Sequence, residues 1–98
     1  MIIEYDKALR LLDLEEYDKA EELLKKSVQI AKEKKNNYEL MEIYCCYGEF
    51  LAMMEREDEA KSYLNEVIDF YEKTSECENE YDMAREILDT IEILNLEE

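Results

Sequence analysis

The apolar residues of this chain recur at the spacing of an α-helix in five successive segments. Residues three and four positions apart share one face of a helix, so each run predicts a helix with a buried face. The third segment is apolar on two sides, which predicts that its helix is packed on both. The five predicted helices span residues 2–13, 16–35, 38–54, 57–75 and 79–95.

Polar residues mark the boundaries between these helices, because the sequence has one glycine and no proline. Asn36 or Asn37 is placed to cap the third helix, and Glu39 follows Asn36 at the spacing of a capping box. Ser75 with Glu78 repeats that spacing before the fifth helix. The turns after the first and third helices are short, so helices one and two, and three and four, are predicted to form antiparallel hairpins.

The composition supports a folded, all-α chain. Leu, Ile, Val and Phe together make up 24 of the 98 residues, above the roughly 20% below which a highly charged chain stays disordered. Good helix formers such as Glu, Lys, Leu and Ala are abundant, and residues for tight turns are scarce. At this length we expect one domain with a single core.

Two stretches that lie 40 residues apart repeat the same pattern. "EEYDKAEELLKK", which begins at Glu15, and "EREDEAKSYLNE", which begins at Glu55, share Asp, Ala and Leu at matching positions. A small residue lets two helices approach closely, and a large residue then packs over the crossing. The repetition therefore indicates two copies of one helical hairpin.

The residues that carry this repetition resemble the pattern of the tetratricopeptide repeat, a stack of helix-turn-helix units. The second unit matches at Tyr44, Tyr47, Gly48, Leu51, Ala60 and Leu64. The first unit matches at Ala8, Leu11, Tyr17, Ala20 and Leu24. It departs from the pattern at Glu4, where the family has an aromatic residue, and neither unit has the usual terminal proline. The spacing of about 40 residues resembles the longer-helix variant of the family.

This resemblance implies antiparallel helix hairpins stacked as a short superhelix of about five helices. Repeat one would span about 1–36, repeat two about 37–75 and a C-terminal capping helix about 78–96, within one domain of residues 1–98. The fifth helix also matches the first at Tyr, Asp, Ala, Leu and Asp, so it is equally a candidate for the first helix of a third repeat. A five-helix bundle without repeats is the alternative fold.

The charge of the chain is strongly negative and unevenly spread. The formal net charge is −16, to which residues 1–36 contribute −1, residues 37–73 contribute −7 and residues 74–98 contribute −8. Such a field disfavours nucleic acid and anionic membranes, and it favours either a basic partner or simply solubility. The chain has neither an apolar run of membrane-spanning length nor the features of a signal peptide, so we expect a cytoplasmic protein.

Residues that usually carry catalysis or bind cofactors are scarce in this sequence. It has no histidine, which removes imidazole metal sites and the common Ser/His and Cys/His nucleophile pairs. A single glycine is too few for a glycine-rich phosphate loop. We expect Cys45, Cys46 and Cys77 to be reduced thiols that serve as small buried residues. The sequence therefore predicts no enzyme activity, no metal and no cofactor.

The resemblance to tetratricopeptide repeats implies a non-enzymatic module for protein–protein interaction. In such stacks the first helix of each hairpin lines a concave face, which here would present both acidic and apolar groups. The partner predicted for that face is a basic or amphipathic protein segment. The residues predicted to contact it are Tyr5, Leu9, Asp13, Glu42, Cys45, Glu49 and Met53.

Two other functions stay open from the sequence: a small acidic chaperone that holds an aggregation-prone client, and a self-assembling homodimeric scaffold. Two repeats are fewer than the roughly three that a solenoid usually needs. Ile2, Ile3, Ile93 and Leu96 also lack an obvious internal partner, and a second copy of the chain or docking to a larger chain would cover them.

Overall fold

A computed structural model describes residues 2–96 of the chain. Within this range the secondary structure consists of five α-helices, which confirms the all-α prediction. Each helix begins and ends within one residue of the predicted bounds. The helices are α1 (Ile3–Asp13), α2 (Tyr17–Lys34), α3 (Asn37–Met53), α4 (Glu57–Thr74) and α5 (Glu78–Leu96).

The described residues form two compact units, one of residues 2–43 and one of residues 44–96. In the first unit α1 packs against α2, as predicted for a hairpin. Its buried side chains include the small residues at which the repeat pattern predicted close approach, among them Ala8 and Ala20. Ile2 is also buried, which corrects the expectation that it lacks an internal partner. Its carbonyl oxygen accepts the first hydrogen bonds of α1, from the amides of Tyr5 and Asp6.

Three of the helix ends share one backbone turn, although none of them has a glycine. Each turn contains a residue in the left-handed conformation, and the following amide donates to the carbonyl five residues back, as in a Schellman motif. These left-handed residues are Glu15, Lys35 and Glu55, with φ of 61°, 55° and 61°. The closing hydrogen bonds are Glu16 N to Leu11 O at 2.9 Å, Asn36 N to Ala31 O at 3.1 Å and Arg56 N to Leu51 O at 2.9 Å.

One of the two predicted capping boxes forms a cap. The Glu39 amide donates to Oδ1 of Asn36 at 3.1 Å, so Asn36 caps α3. Ser75 does not cap α5, and that prediction is wrong. Ser75 instead ends α4 with a φ of 61°, and its amide donates to the Tyr71 carbonyl at 2.7 Å. Because α5 begins at Glu78, Ser75 lies too far before it to occupy the capping position.

Aromatic contacts hold the second unit together. The Tyr63 ring on α4 stacks on the ring of Tyr47 on α3, with centroids 4.7 Å apart. Tyr71 on α4 stacks on Tyr81 on α5 at 4.3 Å, and α4 packs against α5 along the pair. The Arg85 guanidinium lies 5.6 Å from the centre of the Tyr81 ring. These contacts fix α3, α4 and α5 as the framework on which the candidate site is built.

Candidate functional site

The residues predicted to contact a partner fall in both units and differ in exposure. In the first unit Tyr5 is half-buried, whereas Leu9, Asp13 and Glu42 are exposed. In the second unit Cys45 is buried, whereas Glu49 and Met53 are exposed.

Cys45 does not present its side chain to a partner. The residue is 2% exposed, and its Sγ donates to the Glu80 carbonyl oxygen at 3.2 Å. Burial, reinforced by the nearby charge of Glu80, raises the pKa of the Cys45 thiol to about 12. The thiol is therefore a protonated, inward-facing link between α3 and α5, which is a structural role.

Glu49 and Met53 line a groove in the second unit, bounded by the C-terminal half of α3, the first residue of α4 and the face of α5. The groove has a volume of about 430 Å³. Three residues come from α3 and one from α4, and the remaining wall is α5. The lining residues are Glu49, Ala52, Met53, Glu57, Met83, Glu86, Ile87, Thr90, Ile91 and Leu94.

The apolar part of this groove is graded from a buried floor to an exposed edge. Ile91 is buried at the floor, and Ile87 beside it is half-buried. Met53, Met83 and Leu94 are 55%, 47% and 54% exposed. Three large apolar side chains that share one concave surface and remain half in water are a feature of binding sites. The two methionines can also adjust to the shape of what they contact.

The charge in the groove is of a single sign. Glu49 and Glu86 are exposed and Glu57 is half-buried, and all three line the groove. Lysine and arginine are absent from the lining residues in the described part of the chain. A concave apolar surface concentrates the field of such carboxylates, so the groove attracts a cationic group.

Sequence reasoning found only the α3 side of this groove. The α5 residues were missed because the fifth helix was expected to be a capping helix with a polar outer face. A signal was present: Met83, Ile87 and Leu94 lie beside the main stripe of Ala84 and Ile91, so α5 is apolar over a wider arc than one buried contact needs.

A comparison with protein-family models decides the family. The model of the tetratricopeptide repeat matches residues 2–73. The chain belongs to the tetratricopeptide repeat family. Tetratricopeptide repeats are non-catalytic repeats that mediate protein–protein interaction, and the resemblance seen in the sequence is confirmed. No curated protein and no solved structure matched the chain.

Only part of the groove is lined by residues that match the tetratricopeptide repeat. Glu49, Ala52, Met53 and Glu57 lie within the matched residues, whereas the α5 wall lies beyond them. The groove therefore combines a surface of the second repeat with a helix that follows it along the chain.

Residues 2–96 contain no group of three or more Cys, Asp or Glu side chains arranged to hold a metal ion. Among the same residues, each helix is too short or too polar to cross a membrane.

Proposed function

We propose that this tetratricopeptide repeat protein binds a basic, amphipathic segment of a partner protein in the groove between α3 and α5. The observation that carries the proposal is an apolar floor that lies beside three carboxylates, with no basic side chain among the lining residues of 2–96. Apolar contact supplies the affinity, and the carboxylates select a cationic partner and speed its approach.

The same charges disfavour a second copy of the chain as the occupant. In a symmetric dimer the same patch meets itself, so Glu49, Glu57 and Glu86 would face their own equivalents. Like charges brought together at an interface cost several kcal/mol, and the chain already carries a net charge of −16. A homodimer would therefore have to use another surface, such as the one around Ile3 or Leu96, which are 65% and 82% exposed.

The sequence also predicted contacts in the first unit, a cytoplasmic location and a chaperone function. Tyr5, Leu9, Asp13 and Glu42 are proposed as contacts that the first unit makes with a partner. A cytoplasmic location and a chaperone function are compatible with the proposal. In the chaperone case the segment in the groove would belong to an aggregation-prone client.

Binding of a synthetic peptide tests the proposal. The probe is a fluorescently labelled peptide of Leu, Ala and Lys with a helical apolar stripe, titrated with the intact protein and followed by anisotropy. We expect Glu49→Lys with Glu86→Lys to weaken binding by about tenfold or more, since each reversal replaces an attraction for the basic peptide with a repulsion.

The matched control changes the same total charge outside the groove. Asp89→Lys with Glu92→Lys alters two exposed α5 residues that do not line it. This control should change the affinity by no more than about threefold at physiological salt, because screening weakens distant charges. Equal losses for both double variants would show that only the net charge attracts the peptide, and would refute the groove as the site.

A further inference from the structure

The groove offers almost no hydrogen-bond donor to a ligand along its two long walls. The α3 and α5 residues that line it lie inside continuous helices, whose backbone N–H groups bond within the helix. The Thr90 hydroxyl, the one hydroxyl among the described lining residues, donates to the Glu86 carbonyl at 2.9 Å. The carboxylates of Glu49, Glu57 and Glu86 can only accept hydrogen bonds when ionised.

Because the groove accepts hydrogen bonds but donates almost none, it favours some backbone conformations of a bound segment over others. An extended segment exposes both its N–H and its C=O groups. Carboxylates could accept from some N–H groups, but the carbonyls pressed against α5 would lose water and gain no donor. Each such loss weakens the binding of an extended segment. A helical segment brings no such cost, because its own backbone satisfies these groups.

The spacing of the apolar wall also fits a helix. On α5 the lining residues Met83, Ile87, Ile91 and Leu94 follow one another at intervals of four, four and three residues. At about 1.5 Å per residue the stripe is about 16 Å long, which corresponds to about three turns of a helix. Rows at this spacing form ridges and grooves into which the side chains of a second helix pack.

We infer that the occupant of the groove is a basic amphipathic α-helix of about three turns from a partner protein. Its apolar stripe lies on the α5 wall, and its lysines or arginines flank that stripe opposite Glu49, Glu57 and Glu86. This inference rests on the proposed function, and adds to it the conformation of the bound segment. Met53 and Met83 adapt to different apolar side chains, so recognition depends on the pattern of the helix more than on its exact sequence.

Two peptides of identical composition test the inference. Both contain the same numbers of Leu, Ala and Lys. One places Leu at the helical spacing, and the other alternates Leu with polar residues as in a strand. We expect the helical peptide to bind the intact protein at least about tenfold more tightly. The ¹³Cα chemical shifts of the labelled peptide should report helix in the complex.

The outcomes separate this inference from the function on which it rests. If the strand-period peptide binds equally well or better, and the charge reversals at Glu49 and Glu86 weaken it, the helix is refuted and the groove stands. If neither peptide binds, or the charge reversals leave both affinities unchanged, the proposed function itself is refuted.

Neighbouring residues provide matched controls for the position of the helix. Met53→Ser and Leu94→Ser alter the groove, whereas Met54→Ser and Ile93→Ser alter adjacent exposed residues that do not line it. The two groove variants should weaken the helical peptide by about fivefold or more, since each removes a large apolar contact. The two neighbours should leave it within about twofold. Equal effects within either pair would show that the helix docks elsewhere.

Discussion

Gly48 on α3 lies directly under the side chain of Leu64 on α4. A methyl group at position 48 would lie 2.6 Å from Cδ2 and 2.7 Å from Cγ of Leu64. Leu64 is fully buried, so its side chain has little room to move away. The only glycine of the sequence therefore has a packing role, as a position where two helices of the second unit approach closely.

Replacement of Gly48 by alanine should destabilise the protein. In an unconstrained helix this change stabilises by up to about 1 kcal/mol, because alanine is the better helix former. Here the added methyl group overpacks the contact with Leu64, at a cost of about 1–3 kcal/mol. We expect the free energy of unfolding, measured by urea denaturation, to fall. An increase of about 1 kcal/mol would show that the contact with Leu64 has room for the added methyl group.

The same contact can be isolated with a second substitution. Leu64→Val shortens the side chain that the methyl group meets, and it should reduce the loss caused by Gly48→Ala. A double-mutant cycle of the two changes should give a coupling energy of at least about 0.5 kcal/mol, as expected for residues in contact.

Replacement of Lys35 by glycine should stabilise the protein. The left-handed conformation costs a residue with a side chain about 1–2 kcal/mol. Glycine avoids this cost, but it loses about 0.5–1 kcal/mol more in conformational entropy when the chain folds. With φ at 55°, Lys35→Gly should raise the free energy of unfolding by about 0.5–1 kcal/mol. Lys34→Gly is the control: this residue ends α2 in helical conformation, so the same change should lower stability. Matching signs for the two lysines would contradict the explanation.

Asn36 should contribute more to stability than its neighbour Asn37. The Asn36 side chain accepts the Glu39 amide at 3.1 Å, so Asn36→Ala should cost about 1 kcal/mol through the lost cap. Asn37 is the exposed first residue of α3, and its replacement by alanine should change stability by less than about 0.5 kcal/mol. Thermal unfolding of both variants at matched concentration measures the difference, and equal losses would argue against the cap.

Cys45 should make the protein less stable at alkaline pH. The pKa of its thiol is raised from 9.0 to about 12 by burial, so between these values the unfolded chain loses the proton that the folded chain keeps. The free energy of unfolding should therefore decrease as pH rises above about 9, by at most about 1.4 kcal/mol per pH unit. Below that range the thiol is protonated in both states and contributes no pH dependence.

A Cys45→Ala variant isolates this effect from the titration of lysines and tyrosines. Its free energy of unfolding, measured from about pH 8 to about pH 10.5, should decline less steeply than that of the natural sequence. Parallel declines would show that the thiol titrates alike in the folded and unfolded chains.

The helices were predictable from the sequence because they depend on local pattern. The apolar stripe of α2, with Ala20 and Leu24 on one face, defines both the element and its buried side. The turns were predictable only in position. Glu15 and Glu55 carry no sign of a left-handed backbone in their residue type, because the turn is imposed by the hydrogen bonds that close the preceding helix.

The candidate site was predictable in part for a related reason. Glu49 and Met53 were identified because the resemblance to tetratricopeptide repeats places the first helix of each hairpin on a concave face. Met83 was missed although the wide apolar arc of α5 marked it, and Glu86 was missed because no local pattern shows which helix an exposed α5 residue faces. Cys45 was misplaced because helical spacing gives the direction of a side chain and not what covers it.

The left-handed residues that follow the first four helices, which are Glu15, Lys35, Glu55 and Ser75, lie at intervals of 20 residues along the chain. Because these intervals are equal, one hairpin can take the place of another along the chain. A tandem duplication of 40 residues would return every later position to a helix of the same kind, whereas one of 20 would place first-helix residues in second-helix surroundings. A gene for such a chain can lengthen by whole hairpins, and each new copy arrives with its turns already the right size.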